Sequence, residues 1–165
     1  MIKTALQTIS ATGRTGGRVA EKHSWKDPSA SKRCMLPNFT GAWQLIHGES
    51  DFGFLAPPEW HLDTITHEDP QARIRTRQKD ATGDVTVDRD LTVGQEPMKI
   101  MIRGRERQII AFWQAAVLVL ETRSEVSGNG RRIEDRRSMD AGGAWLIIKR
   151  LHEQPGGAVR QRLRL

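Results

Sequence analysis

Histidine and acidic side chains are the first residues to consider for chemistry, and several lie between residues 47 and 69. In the run EWHLDTITH, His61, Asp63 and His67 fall on one face of an extended strand because side chains alternate along it. Positions i, i+2 and i+6 spread over about 20 Å of strand, which is too far for one metal ion. We therefore expect no catalytic residue, no metal site and no cofactor, and we expect the chain not to be an enzyme.

Three arginines alternate in the final run AVRQRLRL, at Arg160, Arg162 and Arg164. Facing inward, they would form an anion site able to bind a carboxylate or phosphate bidentately. Facing outward, they would cover a solvated strand whose apolar side chains pack inside. The cost of burying three unpaired guanidinium groups favours the outward orientation, and Arg162 is kept as one candidate ligand contact.

Tryptophans at positions 43, 60, 113 and 145 could line a ligand cavity, since an indole offers a large apolar surface and one donor. The alternative is that they are simply core. Trp60 stands beside Pro57-Pro58, in a stretch that we expect to form a rim. Together with apolar side chains of the other runs, the predicted ligand contacts are Trp60, Phe54, Ile65, Ile74, Val87, Ile100, Trp113 and Arg162.

The elements that must position these residues are short alternating runs from residue 41 onward. Residues 72–79 place three arginines on one face, and residues 84–93 place valines and a leucine on one face and acidic residues on the other. About ten such runs are separated by turns, several of which carry the Gly, Asn or Asp that tight hairpins need. This pattern predicts an all-β, antiparallel up-and-down meander.

An open sheet of about ten strands would expose two long edges, and closure into a barrel removes them. We therefore predict an antiparallel up-and-down β-barrel. A barrel of this strand number is wide enough that side chains need not fill it, so an internal cavity is expected.

The remaining chain is a basic N-terminal stretch. Residues 1–36 contain seven of the 26 Lys and Arg residues, which explains most of the net charge of +6. The Ser, Thr and Gly content of residues 1–36 predicts a disordered extension. The alternative is that the start is misassigned and that translation begins at Met35. Residues 37–165 are predicted to form the barrel domain. The extension has no amphipathic period and little aromatic content, so we do not expect nucleic-acid binding.

No apolar run is long enough to span a membrane, and one cysteine, Cys34, cannot form an internal disulfide. We expect a cytoplasmic monomer, or a periplasmic or secreted protein if the start is misassigned.

The stretch NFTGAWQL, residues 38–45, resembles the G-x-W first strand of the lipocalins and, more closely, the F-x-G-T-W-K-L start of the fatty-acid-binding proteins. Both are branches of the calycin superfamily, and the wider pattern is similar to bacterial lipocalin-like domains. The resemblance implies that Gly41 and Trp43 form the barrel base, with an arginine of the last strand packed on Trp43. The R-x-Y that holds a carboxylate in fatty-acid-binding proteins is replaced by RQRLR, and the chain has no tyrosine.

We therefore predict non-enzymatic binding of a small hydrophobic or amphipathic ligand, lipid-like or fatty-acid-like, inside the barrel. The alternative is a structural or interaction domain with a filled core, which contacts an anionic partner through its basic tail or arginine-rich strand faces. A barrel enzyme or haem site is a third class that no residue pattern favours.

Overall fold

The computed structural model describes residues 36–124 and 130–165. This part of the chain contains ten β-strands and no α-helix, which confirms the all-β prediction. The predicted extension at residues 1–36 lies, except for its last residue, outside the described residues. The strands are β1 (Gly41–Gln44), β2 (Trp60–Glu68), β3 (Gln71–Asp80), β4 (Gly83–Thr92), β5 (Met98–Ile102), β6 (Arg105–Gln114), β7 (Val117–Ser124), β8 (Arg131–Met139), β9 (Leu146–Gln154) and β10 (Gly157–Arg164).

The strands form two antiparallel sheets in chain order. Strands β1 to β4 make a four-stranded sheet, and β5 to β10 make a six-stranded sheet in which each strand pairs with the next. Short turns such as the one between Asp80 and Gly83 connect neighbours, and Gly83 takes a positive φ of 107° that other residues rarely adopt. The predicted up-and-down meander is therefore present.

The two sheets are joined at one edge and separate at the other. The segment after β1 pairs with β10, because Asp51 and Arg162 exchange two backbone hydrogen bonds of 2.8 Å. Strands β4 and β5 belong to different sheets. Near that edge, Gly94 N–H donates to the Ala111 carbonyl at 2.8 Å, and Pro97 just before β5 has no N–H to extend the ladder. The ladder of the barrel is thus interrupted between β4 and β5, which strand alternation alone does not predict.

Alternation along each strand separates an inner face from an outer one. Arg73 and Arg75 lie on the outer face, where they pair with Asp90 and Asp88 across β3 and β4. The inner faces meet in a continuous core at the end of the barrel that carries Trp43. Its largest fully buried apolar side chains are Phe39, Ile74, Leu91, Ile109, Leu118, Leu146, Ile148 and Leu165.

Candidate functional site

A cavity of about 420 Å³ lies between the two sheets. It opens at the end of the barrel where the hairpins β3–β4, β5–β6 and β9–β10 turn, since Asp80, Arg103 and Gln154 belong to its wall. The opposite end is filled by the core. The register of the six-stranded sheet arranges the wall residues in layers from the mouth inward.

The mouth layer is basic. Arg107 of β6, Ser124 of β7 and Arg131 of β8 all border the cavity, and Nη1 of Arg107 is buried without a hydrogen-bond partner among the described residues. Two further rim cations are already paired: Arg103 with Asp80, and Arg132 with Glu121, Glu134 and Glu153.

The second layer is largely apolar. Ile109, Thr122, Ile133 and His152 are successive cross-strand neighbours on β6 to β9, and all four line the cavity. Val85 and Val87 of the four-stranded sheet also line the cavity, as does Ile102 of β5, which lies nearer the mouth beside Arg105. This layer can bury an apolar group of a ligand.

The deepest layer is a network of charges. Asp135 accepts two hydrogen bonds from Arg150, from Nε at 2.6 Å and from Nη2 at 2.7 Å. Burial alone would raise the pKa of Asp135, but the charge and hydrogen bonds of Arg150 lower it to about 2. Burial alone would lower the pKa of Arg150, but the charge and hydrogen bonds of Asp135 raise it. Both groups are therefore ionised at neutral pH.

Asp63 on β2 lies beside this pair and is fully buried. It accepts hydrogen bonds from Arg137 Nη1 at 2.8 Å and from the Thr76 hydroxyl at 2.6 Å. Burial favours protonation, yet Arg137, followed by His61 and Thr76, holds the pKa of Asp63 well below its usual range. The Asp63 carboxylate therefore stays ionised in an ion pair with Arg137 that connects the two sheets, and it is not available for proton transfer.

Arg89 on β4 completes the network. Its Nη1 donates to the Thr76 hydroxyl at 2.8 Å, and its remaining exposed surface faces the cavity rather than bulk solvent. Burial, and then the charge of Arg137, lower the pKa of Arg89 to about 10, so it stays charged at neutral pH.

Two histidines of the wall have polar partners. His61 Nδ1 lies 3.1 Å from Gln78 Oε1, and His61 Nε2 lies 3.1 Å from Asp63 Oδ1 in an alignment too poor for a good hydrogen bond. His152 Nε2 lies 3.3 Å from Gln161 Oε1, and burial, followed by the charge of Arg150, lowers the pKa of His152. Both rings are held in the wall.

The interior carries more positive than negative charge. Among the described residues, four buried or half-buried arginines on inner faces, at positions 89, 107, 137 and 150, face two aspartates, Asp63 and Asp135. The sum is a surplus of two positive charges in a partly desolvated space, where an anion would be favoured.

The predicted ligand contacts are distributed over three places. Val87 lines the cavity. Ile65, Ile74 and Ile100 belong to the packed core, and Trp113 packs against it, with its indole N–H donating to Asp69 at 2.7 Å. For these four residues the core alternative holds: Ile65, Ile74 and Trp113 lie deeper in the barrel than the cavity-lining residues of their strands, and Ile100, the cross-strand neighbour of Arg107, packs into the core cluster.

Three predicted contacts lie on the outer surface, which corrects the prediction. Trp60 neighbours His61, which points inward, so the Trp60 side chain points outward. Phe54, in the segment between β1 and β2, is 76% exposed. Arg162 points outward because Val159 and Leu163, which have the opposite parity on the same strand, are buried. This confirms the orientation that the cost of burial favours.

Gly41 and Trp43 lie on β1 at the packed end. The Trp43 indole N–H donates to the Phe39 carbonyl at 2.8 Å. A Cβ at Gly41 would lie 3.3 Å from the Trp43 ring, and the φ of Gly41 is 155°. The expected arginine on Trp43 is not found among the described residues: the Arg164 guanidinium lies 4.4 Å from the ring of Trp145 instead, because Trp145 directly precedes β9, which pairs with β10.

Sequence reasoning missed the inward arginines at positions 89, 107, 137 and 150. A signal for them is present: Arg89 has the parity of Val87 and Leu91, and Arg150 has that of Ile148. A charged residue at an apolar parity of an alternating strand marks either a buried ion pair or a ligand contact.

Within the described ranges, no group of three or more His, Cys, Asp or Glu side chains could hold a metal ion. Residues 36–124 and 130–165 also contain no helix with the length and apolar character that a membrane-spanning helix needs.

No protein-family model matches the sequence, and no curated protein matches it. Among solved structures, the fluorescent protein UnaG is similar with a TM-score of 0.52, 16% identity and coverage of 76% of this chain and 95% of that chain. A mutant of UnaG gives a TM-score of 0.54 at 15% identity, covering 76% and 94%. Zebrafish ileal bile acid-binding protein complexed with cholic acid gives a TM-score of 0.52 at 11% identity, covering 76% and 95%. The chain therefore shares the β-barrel fold of these structures.

Proposed function

We propose that this protein binds a small amphipathic anion in the cavity, without making or breaking a bond. The observation that carries the proposal is the composition of the wall: apolar side chains such as Val87 and Ile109 stand in one cavity with arginines whose charge exceeds that of the neighbouring aspartates. A neutral ligand would leave the surplus charge uncompensated, and a purely hydrophilic anion would not use the apolar layer. A ligand with both parts satisfies both surfaces.

A binding role agrees with the state of the reactive groups. Asp63, Asp135 and Arg150 are engaged in ion pairs, and the pKa values of both aspartates are lowered. A general acid or base needs a pKa near the working pH, so these carboxylates are suited to structure and electrostatics.

The fold supports the proposal as an analogy. One structure with the same fold is a bile acid-binding protein complexed with cholic acid, and we propose that a ligand occupies the equivalent interior here. A lipid-like ligand, a lipocalin-like lineage, a monomeric state and a cytoplasmic location stay predictions from the sequence.

The proposal is tested with 1-anilinonaphthalene-8-sulfonate, an amphipathic anion whose emission rises in apolar surroundings. We expect saturable binding of one probe per chain, and competition by octyl phosphate. Val87→Trp, which fills the cavity, should abolish this binding, whereas Thr86→Trp on the exposed face of the same strand should not. Absence of saturable binding to the wild-type protein would refute the proposal.

A second candidate function, contact with an anionic macromolecular surface, is supported by a row of basic side chains on the outer face of the six-stranded sheet. Arg136, Lys149 and Arg162 are cross-strand neighbours on the outer faces of β8, β9 and β10, and like charges placed side by side are unfavourable. Arg136 pairs with Glu134, whereas Lys149 and Arg162 have no ion-pair partner among the described residues. This basic row would suit an anionic macromolecular surface.

Sedimentation with phosphatidylserine vesicles at low and high salt tests this candidate. Binding that weakens steeply with salt and disappears in Lys149→Glu/Arg162→Glu would support it. Equal vesicle binding by the double variant and the wild type would exclude the basic row as the contact surface.

A further inference from the structure

Three side chains at the cavity mouth stand in one line across the six-stranded sheet. Gln108 pairs with Arg123, so the next residue pair along β6 and β7 is Arg107 and Ser124. Ser124 in turn pairs with Arg131 of β8. With strands about 4.8 Å apart, the backbones of the two arginines are roughly 10 Å apart, with the serine midway between them. We call Arg107, Ser124 and Arg131 the mouth row.

All three members of the mouth row border the cavity. Ser124 is 9% exposed, and Nη1 of Arg107 is buried without a hydrogen-bond partner among the described residues. Within residues 36–124 and 130–165, neither the Ser124 hydroxyl nor the Arg131 side chain has a hydrogen bond or ion pair. A buried guanidinium nitrogen without an acceptor is unfavourable, so an acceptor supplied by a ligand would be strongly bound there.

The deeper arginines are less available. Arg137 is bonded to Asp63, Arg150 makes two bonds to Asp135, and Arg89 donates to Thr76. Each of these deeper arginines thus has at least one protein partner, although Nε of Arg137 is buried without one. The arginines of the cavity wall that have no side-chain partner among the described residues, Arg107 and Arg131, lie at the mouth.

We propose that the mouth row binds a tetrahedral oxyanion, the phosphate or sulfate group of an amphiphile whose apolar part extends inward over Ile109 and Ile133. Two guanidinium groups with a hydroxyl between them offer several donors to one group, which matches the three terminal oxygens of a phosphate or sulfate ester better than the two of a carboxylate. The apolar layer directly below sets the orientation. The inference rests on the proposed function and adds the headgroup chemistry and its position.

The test is isothermal titration of the full chain with octyl phosphate, octyl sulfate, octanoate and octanol, and with inorganic phosphate alone. We expect both esters to bind at least ~10-fold more tightly than octanoate. Arg107→Gln and Arg131→Gln should each weaken ester binding by ~10- to 100-fold, while octanol changes by less than ~2-fold. Arg162→Gln, which removes the same charge from the outer face, is the matched control and should leave all affinities unchanged.

A comparison of ester binding with binding of inorganic phosphate distinguishes a headgroup site from a site for a free oxyanion. An ester that binds at least ~10-fold more tightly than inorganic phosphate assigns the mouth row to a headgroup, whereas equal affinities would overturn that assignment in favour of a free oxyanion. If Arg107→Gln does not fold, Ser124→Ala and Arg107→Lys, which keeps the charge but loses the planar fork, provide the same comparison.

Equal binding of esters and octanoate, or unchanged ester binding in all mouth-row variants, would overturn the inference while leaving the proposed function intact. Absence of binding by every amphiphile, octanol included, would instead refute the proposed function.

Discussion

Arg137 and Asp63 form a buried ion pair that connects the two sheets. Arg137 Nη1 on β8 lies 2.8 Å from Asp63 Oδ2 on β2, and both side chains are at most 1% exposed. Asp63 also accepts the Thr76 hydroxyl, so the pair belongs to a larger network at the floor of the cavity. The position of this floor limits how deep a ligand can enter.

Removal of one partner of this pair should strongly destabilise the protein. Arg137→Leu leaves a buried carboxylate without its counter-charge, and we expect the free energy of unfolding to fall by about 3–5 kcal/mol. Asp63→Leu/Arg137→Met should cost less than the single change, because no charge is left unpaired. Urea unfolding followed by circular dichroism measures both.

The control for that prediction is the surface pair of Arg73 and Asp90, whose side chains are 74% and 70% exposed. Arg73→Leu should change the free energy of unfolding by no more than about 1 kcal/mol. A loss as large as that of Arg137→Leu would contradict the assignment of special stability to the buried pair.

Stability should fall with acid in two stages. The pKa values of His67 and His152 are lowered from 6.5, each with burial as the largest cause. Below about pH 6.5, His67 and His152 therefore bind protons more readily in the unfolded chain than in the folded protein, and the free energy of unfolding decreases. The pKa values of Asp63 and Asp135 are also lowered, so their contribution is present above about pH 4 and lost as the pH falls towards about 2.

Urea unfolding at pH values of about 8, 5 and 3 measures both stages. His152→Gln should reduce the loss over the first interval, and Asp135→Asn should reduce the further loss over the second. A stability that is constant over the first interval would contradict the burial of neutral histidines.

Gly41 should be difficult to replace. Its φ of 155° is rarely adopted by other residues, and a Cβ there would lie 3.3 Å from the Trp43 ring. We expect Gly41→Ala to lower the free energy of unfolding by about 1–3 kcal/mol. Gly48→Ala is the control, since nothing lies within 4 Å of a Cβ at that position, and it should change stability by less than about 0.5 kcal/mol.

The length of the apolar part should matter only up to a limit. From the mouth row to the layer of Asp135 and Arg150 is about four residues along a strand, or roughly 13 Å. Alkyl phosphates should gain about 0.8 kcal/mol of binding free energy per added CH₂ until the chain reaches this charged layer. Titration calorimetry of the hexyl, octyl, decyl and dodecyl esters measures this, and an unbroken increase to dodecyl would contradict the charged floor.

The fold is largely predictable from the sequence because alternation in antiparallel strands is a local property. Runs such as residues 72–79 and 84–93 separate arginines and acids from valines before any packing is known. The outward position of Arg162 follows from the same alternation and from the cost of burying guanidinium groups.

The cavity is less predictable because alternation gives the face of a side chain but not its depth. Ile74 and Val87 are both inward, yet the first is packed in the core and the second lines the cavity. Whether an inward residue packs in the core or lines the cavity depends on how far it lies from the barrel mouth in the folded protein. Tryptophan content is also a poor guide: Trp60 is large and near the mouth end, but its parity turns it outward.

Ligand binding inside the cavity is tested most directly by titration calorimetry, which gives the stoichiometry of octyl phosphate binding to the wild-type protein, Val87→Trp and Thr86→Trp. Val87 lines the cavity and Thr86 is exposed on the opposite face of β4. We expect one bound molecule per wild-type chain, no binding to Val87→Trp, and unchanged binding to Thr86→Trp. Equal binding to all three folded proteins would contradict binding inside the cavity.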